Sequence, residues 1–250
     1  MEESEGNRIL KLRIFASACA LVLAFVFGFV GLLYNGTGTS AFAAQTVKTY
    51  TIKEIKAAGI HLLVNRTHKL PSTYQAANLV LIRKQVPVRF SNLKLKYQPL
   101  LNLALLYKAA KKTGIHIYVY SGHRTLAEQT ALFQKKVQYY RKNHTEKQAI
   151  ALASKVVAPP NTSEHQTGLA VDVVSTQYRV RDSGFSNSKA GKWLAKNSWK
   201  YGYVLRYARA KTSITGIIFE PWHFRFVGKV QAKKMYDQKL CLEEYVAKNM

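Results

Sequence analysis

Acid is scarce in this sequence. Its 250 residues hold 13 Asp and Glu against 38 Lys and Arg, a formal net charge of +25. A single-sign field of that size favours polyanionic partners without choosing among nucleic acid, anionic lipid and an anionic polymer. Nucleic acid is excluded on other grounds: there is no zinc-finger or RNP-like motif, and the chain opens with an export segment. Cysteine is also scarce. Cys19 falls inside an N-terminal apolar run and Cys241 near the other end, so the rest of the chain cannot bridge itself, and neither thiol is placed as a zinc ligand or nucleophile. Cys19 is not a lipidation site either, because the apolar run lies mostly after it.

The export segment comes first. Arg8, Lys11 and Arg13 flank the uncharged run Ile14 to Leu33, which at roughly 20 residues is long enough to span a bilayer with its basic flank inside. Ala41-Phe42-Ala43 before Ala44 is an A-x-A cleavage signal that lies well past the run. Residues 1–44 are therefore a cleaved signal peptide or a retained N-terminal membrane anchor with a Gly- and Thr-rich spacer. Residues 45–59 read as a linker or arm that could be helix, strand or disordered, and 60–250 as one domain.

With acids so few, those inside apolar runs carry information. Ser163-Glu164-His165-Gln166-Thr167-Gly168-Leu169-Ala170-Val171-Asp172 and, further on, Glu220-Pro221-Trp222-His223 bring together two imidazoles and, besides Glu164, the two candidate carboxylates Asp172 and Glu220. A catalytic zinc takes three ligands from His, Cys and Asp/Glu and keeps an open position, and His165, Asp172 and His223 make such a set. Glu220, three residues before a ligand, is placed to accept the proton of a metal-activated water. The spacing is not the one-turn H-E-x-x-H arrangement. Gly168 instead predicts a turn into a buried strand, Leu169 to Val174, carrying Asp172. The competing reading is a salt-bridged core acid beside two structural histidines.

Around these motifs the pattern predicts an α+β domain: a small, mostly antiparallel sheet with packed helices and the site at one end of the strands. Leu62 to Asn65 reads as a short strand, Pro99 to Lys112 as a core helix and Ile115 to Tyr120 as a strand delivering Ser121-Gly122-His123-Arg124 to a turn. Helices follow at Leu126 to Asn143 and Glu146 to Val156, the latter stopped before Pro159-Pro160. Tyr178 to Asn187 reads as a mobile flap and Lys189 to Lys200 as an amphipathic helix. Tyr203 to Tyr207 and Gly216 to Phe219 read as a hairpin joined by a basic loop, and 229–247 as closing helix. Arg124, on a loop at a strand end, can grip a carboxylate or peptide oxygen with two bonds, or is one more solvated cation. Trp222 walls a pocket.

Ser163-x-His165-x-x-Gly168-x-Ala170-x-Asp172, followed by Glu220-Pro221-Trp222-His223-Phe224-Arg225 and preceded by Ser121-Gly122-His123-Arg124, resembles the VanY-like D-alanyl-D-alanine carboxypeptidases of the bacterial cell wall. That family also includes L,D-carboxypeptidases acting on the tetrapeptide stem. The resemblance implies one catalytic Zn2+ on His165, Asp172 and His223, with Glu220 as base and Arg124 holding the substrate or polarising its scissile carbonyl. It implies substrate contacts from Gln129 and Ser163. His123 stands where the family usually has Tyr, which puts the local substrate contacts in question.

The expected function is removal of the terminal D-alanine from peptidoglycan stem peptides in the cell envelope, at the outer face of the cytoplasmic membrane or in the wall. The charge would hold the protein to an anionic wall polymer or membrane surface. The alternatives are an L,D-carboxypeptidase, a zinc amidase or endopeptidase with the same ligands, and a wall-binding module without activity. The ligand set together with Glu220 argues against the last.

Overall fold

The computed structural model describes residues 46–249. The run Ile14 to Leu33 and the signal Ala41-Phe42-Ala43 lie outside the described residues. Among the described residues no helix is long and apolar enough to cross a membrane.

The segment read as an arm carries regular structure. Strand β1 (Lys48–Thr49) is followed by helix α1 (Ile52–Ala58), whose N-terminus is closed by a reciprocal cap between Thr51 and Glu54. Ile55 buries itself with Leu62, Val64 and Leu70, and β1 pairs in parallel with β2 (His68–Lys69). Leu62 to Asn65 is not the expected strand. Apart from one bridge between Asn65 and His68 it runs as coil, because the carbonyls of Ile60 and Leu62 accept from the buried Arg225 guanidinium rather than from a neighbouring strand.

A second small ladder, β3 (Leu79–Leu81) against β4 (Lys94–Lys96), is antiparallel and leads into α2 (Tyr97–Lys112). The helix buries Leu100, Leu103, Ala104, Leu106 and Ala110 at the spacing of one face. These pack on Ile117 and Val119 of β5 (Ile117–Ser121), Val171 and Val173 of β6 (Ala170–Ser175), and Phe224 and Phe226 of β8 (His223–Phe226). Each fully buried Leu, Ile, Val or Phe side chain among them contributes about 1.5–3 kcal/mol. With β7 (Tyr203–Leu205) the strands form one antiparallel sheet in the order β5-β6-β8-β7. This is the expected α+β architecture.

Two capped helices, α3 (Leu126–Arg141) and α4 (Glu146–Ser154), pack together through Val137, Ala149 and Ala153. After α5 (Lys189–Asn197) and β7, the chain departs from expectation. Gly216 to Phe219 does not form a hairpin with β7, which pairs with β8 at the end of the sheet instead. Gly216, at φ 72°, ends the short helix α6 (Thr212–Thr215), and the extended residues beyond it bond elsewhere: Ile218 N–H donates to Lys155 O, and Glu220 N–H to Tyr207 O. Helices α7 (Lys229–Asp237) and α8 (Leu242–Asn249) then cover the Val204 and Val227 side chains, with a break at Lys239, φ 52°.

Candidate active site

The sheet register assembles the site. Asp172 is paired with Ser121 on one side and with His223 on the other. Residues directly opposite across strands project from the same face, so the pairing alone puts the Asp172 carboxylate beside the His223 ring. Val171 and Val173 point into the core, which turns Asp172 away from it.

His165 reaches the same point from a 3-10 turn, Glu164–Thr167, that ends on Gly168 at φ 70°. A side chain at Gly168 would be strained at that φ and would set its Cβ 2.8 Å from Leu79 Cδ2. His165 Nδ1 lies 2.7 Å from the Gly122 carbonyl, which accepts its proton and leaves the Nε2 lone pair facing Asp172. Gly122 comes so close to β4 that a Cβ there would meet Lys94 O at 2.6 Å.

His165 Nε2 is 3.3 Å and His223 Nδ1 3.2 Å from Asp172 Oδ1. Ligand atoms on a tetrahedral zinc with bonds near 2.0 Å lie about 3.3 Å apart. The donor set and its spacing therefore fit zinc, and the three residues are buried with their ligand atoms within 4.8 Å of one another, as a metal ion requires. The two rings meet edge to face, with centroids 4.9 Å apart. Asp172 Oδ2 accepts from Arg181 Nη1 at 2.8 Å.

The charges follow from these contacts. Burial alone would raise the Asp172 carboxyl, but the two imidazoles hold it well below the usual carboxylate range. Burial and the Arg124 guanidinium lower His165 to about 4, against the pull of Asp172. His223 goes the other way, to about 9, because Asp172, Glu164 and Glu220 together outweigh its burial. Glu220, with Oε2 at 3.8 Å from His223 Nδ1, is pushed up to about 7, chiefly by burial.

A cleft of about 480 Å³ opens over this cluster. Glu220, Arg124, Gln129, Ser163 and Trp222 line it beside His165, Asp172 and His223. Gln129 donates its amide to Ala158 O at 2.6 Å, leaving its buried Oε1 without a partner. Arg124 is anchored by its backbone N–H to His165 O, while its buried Nε is unpartnered. His123 is the exception: it lines an adjoining cavity on the other side of Arg124 and not the metal cleft.

Residues without an assigned role in the sequence reading also converge here. Glu164, Arg206 and Arg225 form a buried ion cluster behind His223, and Arg181 of the expected flap reaches Asp172. That flap is tied down by buried Phe185 and by the Tyr178 hydroxyl donating to Asp182. A signal for the ion cluster did exist, since His223 and Arg225 lie two apart on a strand and a buried Arg needs an acid on the same face.

Known proteins match this arrangement. Residues 92–229 match the model of the family "VanY: D-alanyl-D-alanine carboxypeptidase". A D-alanyl-D-alanine carboxypeptidase of Enterococcus faecalis (strain ATCC 700802 / V583) is 36% identical over 217 residues, covering 84% of this chain and 76% of its own. The structure of the LdcB LD-carboxypeptidase superposes with a TM-score of 0.70 at 32% identity, covering 80% of this chain and 90% of that one. The vancomycin resistance D,D-pentapeptidase VanY, crystallised as a mutant in complex with Zn(II), does so with a TM-score of 0.64 at 38% identity, covering 75% and 98%. The motifs, the sheet that aligns them and the extent of these matches make the chain a member of the VanY family of D-alanyl-D-alanine carboxypeptidases.

Proposed function

We propose that the chain is a zinc-dependent carboxypeptidase that removes the terminal D-alanine from peptidoglycan stem peptides, with the D,D bond of the pentapeptide as its substrate. The observation that carries it is the 3.2 and 3.3 Å spacing of His223 Nδ1 and His165 Nε2 from a shared Asp172 oxygen, with Glu220 in the same cleft.

His165, Asp172 and His223 would hold the metal. Zinc bound there supplies a Lewis acid for the scissile carbonyl and lowers the pKa of an attacking water. Glu220 takes the water's proton as the oxygen–carbon bond forms and hands it to the leaving nitrogen as the carbon–nitrogen bond breaks. Arg124 grips a peptide oxygen of the stem from the cleft wall. The Gln129 Oε1 accepts from a stem N–H, Ser163 adds a second polar contact, and Trp222 walls the pocket for the released residue. His123, across Arg124, touches the stem farther from the scissile bond.

A specific observation favours keeping the L,D reading beside this one: the LdcB LD-carboxypeptidase superposes over 90% of its length. One experiment separates them. The chain is incubated with muramyl pentapeptide and tetrapeptide stems, with zinc or chelator, and the products are weighed. Chelator-sensitive loss of one alanine from the pentapeptide supports the D,D assignment; loss from the tetrapeptide alone replaces it with L,D. No shortening of either stem by zinc-loaded protein defeats both.

We also infer that the protein is exported, from the run Ile14 to Leu33, and that its charge holds it to an anionic wall polymer. A basic aromatic face supports this second point. Trp199 stacks on Tyr236 at 5.1 Å, and the Lys200 and Lys233 ammonium groups lie over the Trp199 ring at 5.7 and 5.5 Å. Binding to isolated sacculi that weakens steeply with salt is the expected behaviour.

A further inference from the structure

Two buried atoms behind the metal cluster have no hydrogen-bond partner: Nε2 of His223 and Oε2 of Glu164. They face each other across 3.5 Å. One is a potential donor and the other an acceptor, so each is the other's natural complement in a place water does not reach.

The rest of Glu164 is fully engaged. Its Oε1 accepts from Arg206 Nε at 2.7 Å and from Arg225 Nη1 at 2.9 Å. Arg206 in turn gives its two terminal nitrogens to Glu243 on the C-terminal helix α8, at 2.8 and 2.6 Å. Arg225 spends Nη2 on the carbonyls of Ile60 and Leu62. Neutralising the two arginines occupies only one oxygen of Glu164. The other is left aimed at His223.

We propose that Glu164 is a positioning residue of the metal centre. It accepts the Nε2–H of His223 and so fixes the tautomer whose Nδ1 lone pair points at the corner shared with Asp172 and His165. Arg206, Arg225 and Glu243 hold that carboxylate in place, which makes the C-terminal helix part of the metal site although it supplies no ligand. A carboxylate behind a ligand histidine orients the ring and strengthens it as a donor, and losing such a partner typically costs 10–100-fold in metal affinity. The inference rests on the zinc reading of the cluster.

The test is zinc affinity of the full chain, by competition with a chromogenic chelator, for wild type, Glu164→Gln and Glu164→Asp. Glu164→Gln removes the charge but keeps the shape, and its zinc affinity is expected to fall about 10–100-fold. Glu164→Asp keeps the charge and is expected to recover part of that loss. At saturating zinc the Glu164→Gln variant should regain most of its kcat, which a misfolded protein would not do. A folded Glu164→Gln with wild-type zinc affinity overturns the inference and leaves the zinc assignment standing; wild-type protein that binds no zinc removes both.

A second measurement needs no variant. In the zinc-loaded wild type, nitrogen-15 NMR of the His223 ring should show the proton on Nε2 and the metal on Nδ1. The opposite assignment overturns the inference even if the variants fail to fold.

Discussion

Asp172 and His223 are register partners across β6 and β8, and Oδ1 of the first lies 3.2 Å from Nδ1 of the second. Two ligands of one metal are thus fixed by the backbone hydrogen bonding of a sheet rather than by loop conformation. Side chains held on rigid strands are placed more precisely than those on loops, so single substitutions around this pair can be read as local effects.

Glu220→Gln separates metal binding from chemistry. The amide keeps the size of the side chain and cannot accept a proton. Zinc content should stay at the wild-type level while kcat falls about 10²–10⁴-fold. Metal analysis beside single-turnover kinetics checks this. A variant that turns over normally removes Glu220 from the base role.

That His165, Asp172, His223 and Glu220 would meet was legible in the sequence because each lies in a short contiguous motif, and because a period of two decides which residues of a strand share a face. What could not be read was which distant groups meet behind them. Glu164 finds Arg206 at a separation of 42 residues and Arg225 at 61, and no local pattern encodes that pairing. Gly216 to Phe219 has strand-like composition, yet its backbone is held elsewhere: Ile218 N–H donates to Lys155 O and Glu220 N–H to Tyr207 O. His123 was legible as a neighbour of Arg124, but successive residues at a strand end diverge, and His123 turns into the adjoining cavity.

Gly122→Ala should damage the site through its backbone. A Cβ at this position would meet Lys94 O at 2.6 Å, and the Gly122 carbonyl is the acceptor for His165 Nδ1. Backbone cannot give way as a flexible side chain does. The substitution is expected to cost about 1–3 kcal/mol of stability and to weaken zinc binding by letting the His165 ring turn. Thermal unfolding and chelator competition report the two effects, and a variant unchanged in both would show that β4 and β5 can separate freely here.

Arg181→Ala tests the outer oxygen of Asp172. The guanidinium donates to Oδ2 at 2.8 Å while its carbon sits 4.0 Å from the Tyr120 ring centroid. This contact turns Oδ1 toward the histidines. Its loss should lower zinc affinity about tenfold with little change in KM at saturating zinc. The converse pattern, a raised KM and unchanged zinc affinity, would mean that Arg181 serves the substrate and not the ligand.

Glu243 links the C-terminal helix to acid stability. Burial alone would push its carboxyl up, but the Arg206 guanidinium at 2.6 and 2.8 Å and the Asn65 amide at 3.1 Å hold it below the ordinary range. A carboxyl whose pKa is depressed on folding adds stability that is present above its unfolded value of about 4.3 and is lost as pH falls through the folded value. The zinc-free protein should therefore lose unfolding free energy as pH drops below about 4. Glu243→Gln cannot titrate, so it should cost about 1.5–3 kcal/mol at pH 7 and less at pH 3, below the unfolded value of about 4.3, where the unfolded wild-type chain has taken up the proton at Glu243. Urea unfolding of both proteins in chelator at the two pH values measures the difference and keeps zinc release out of the comparison. An equal cost at both pH values would show that the ion pair with Arg206 contributes nothing that protonation can remove.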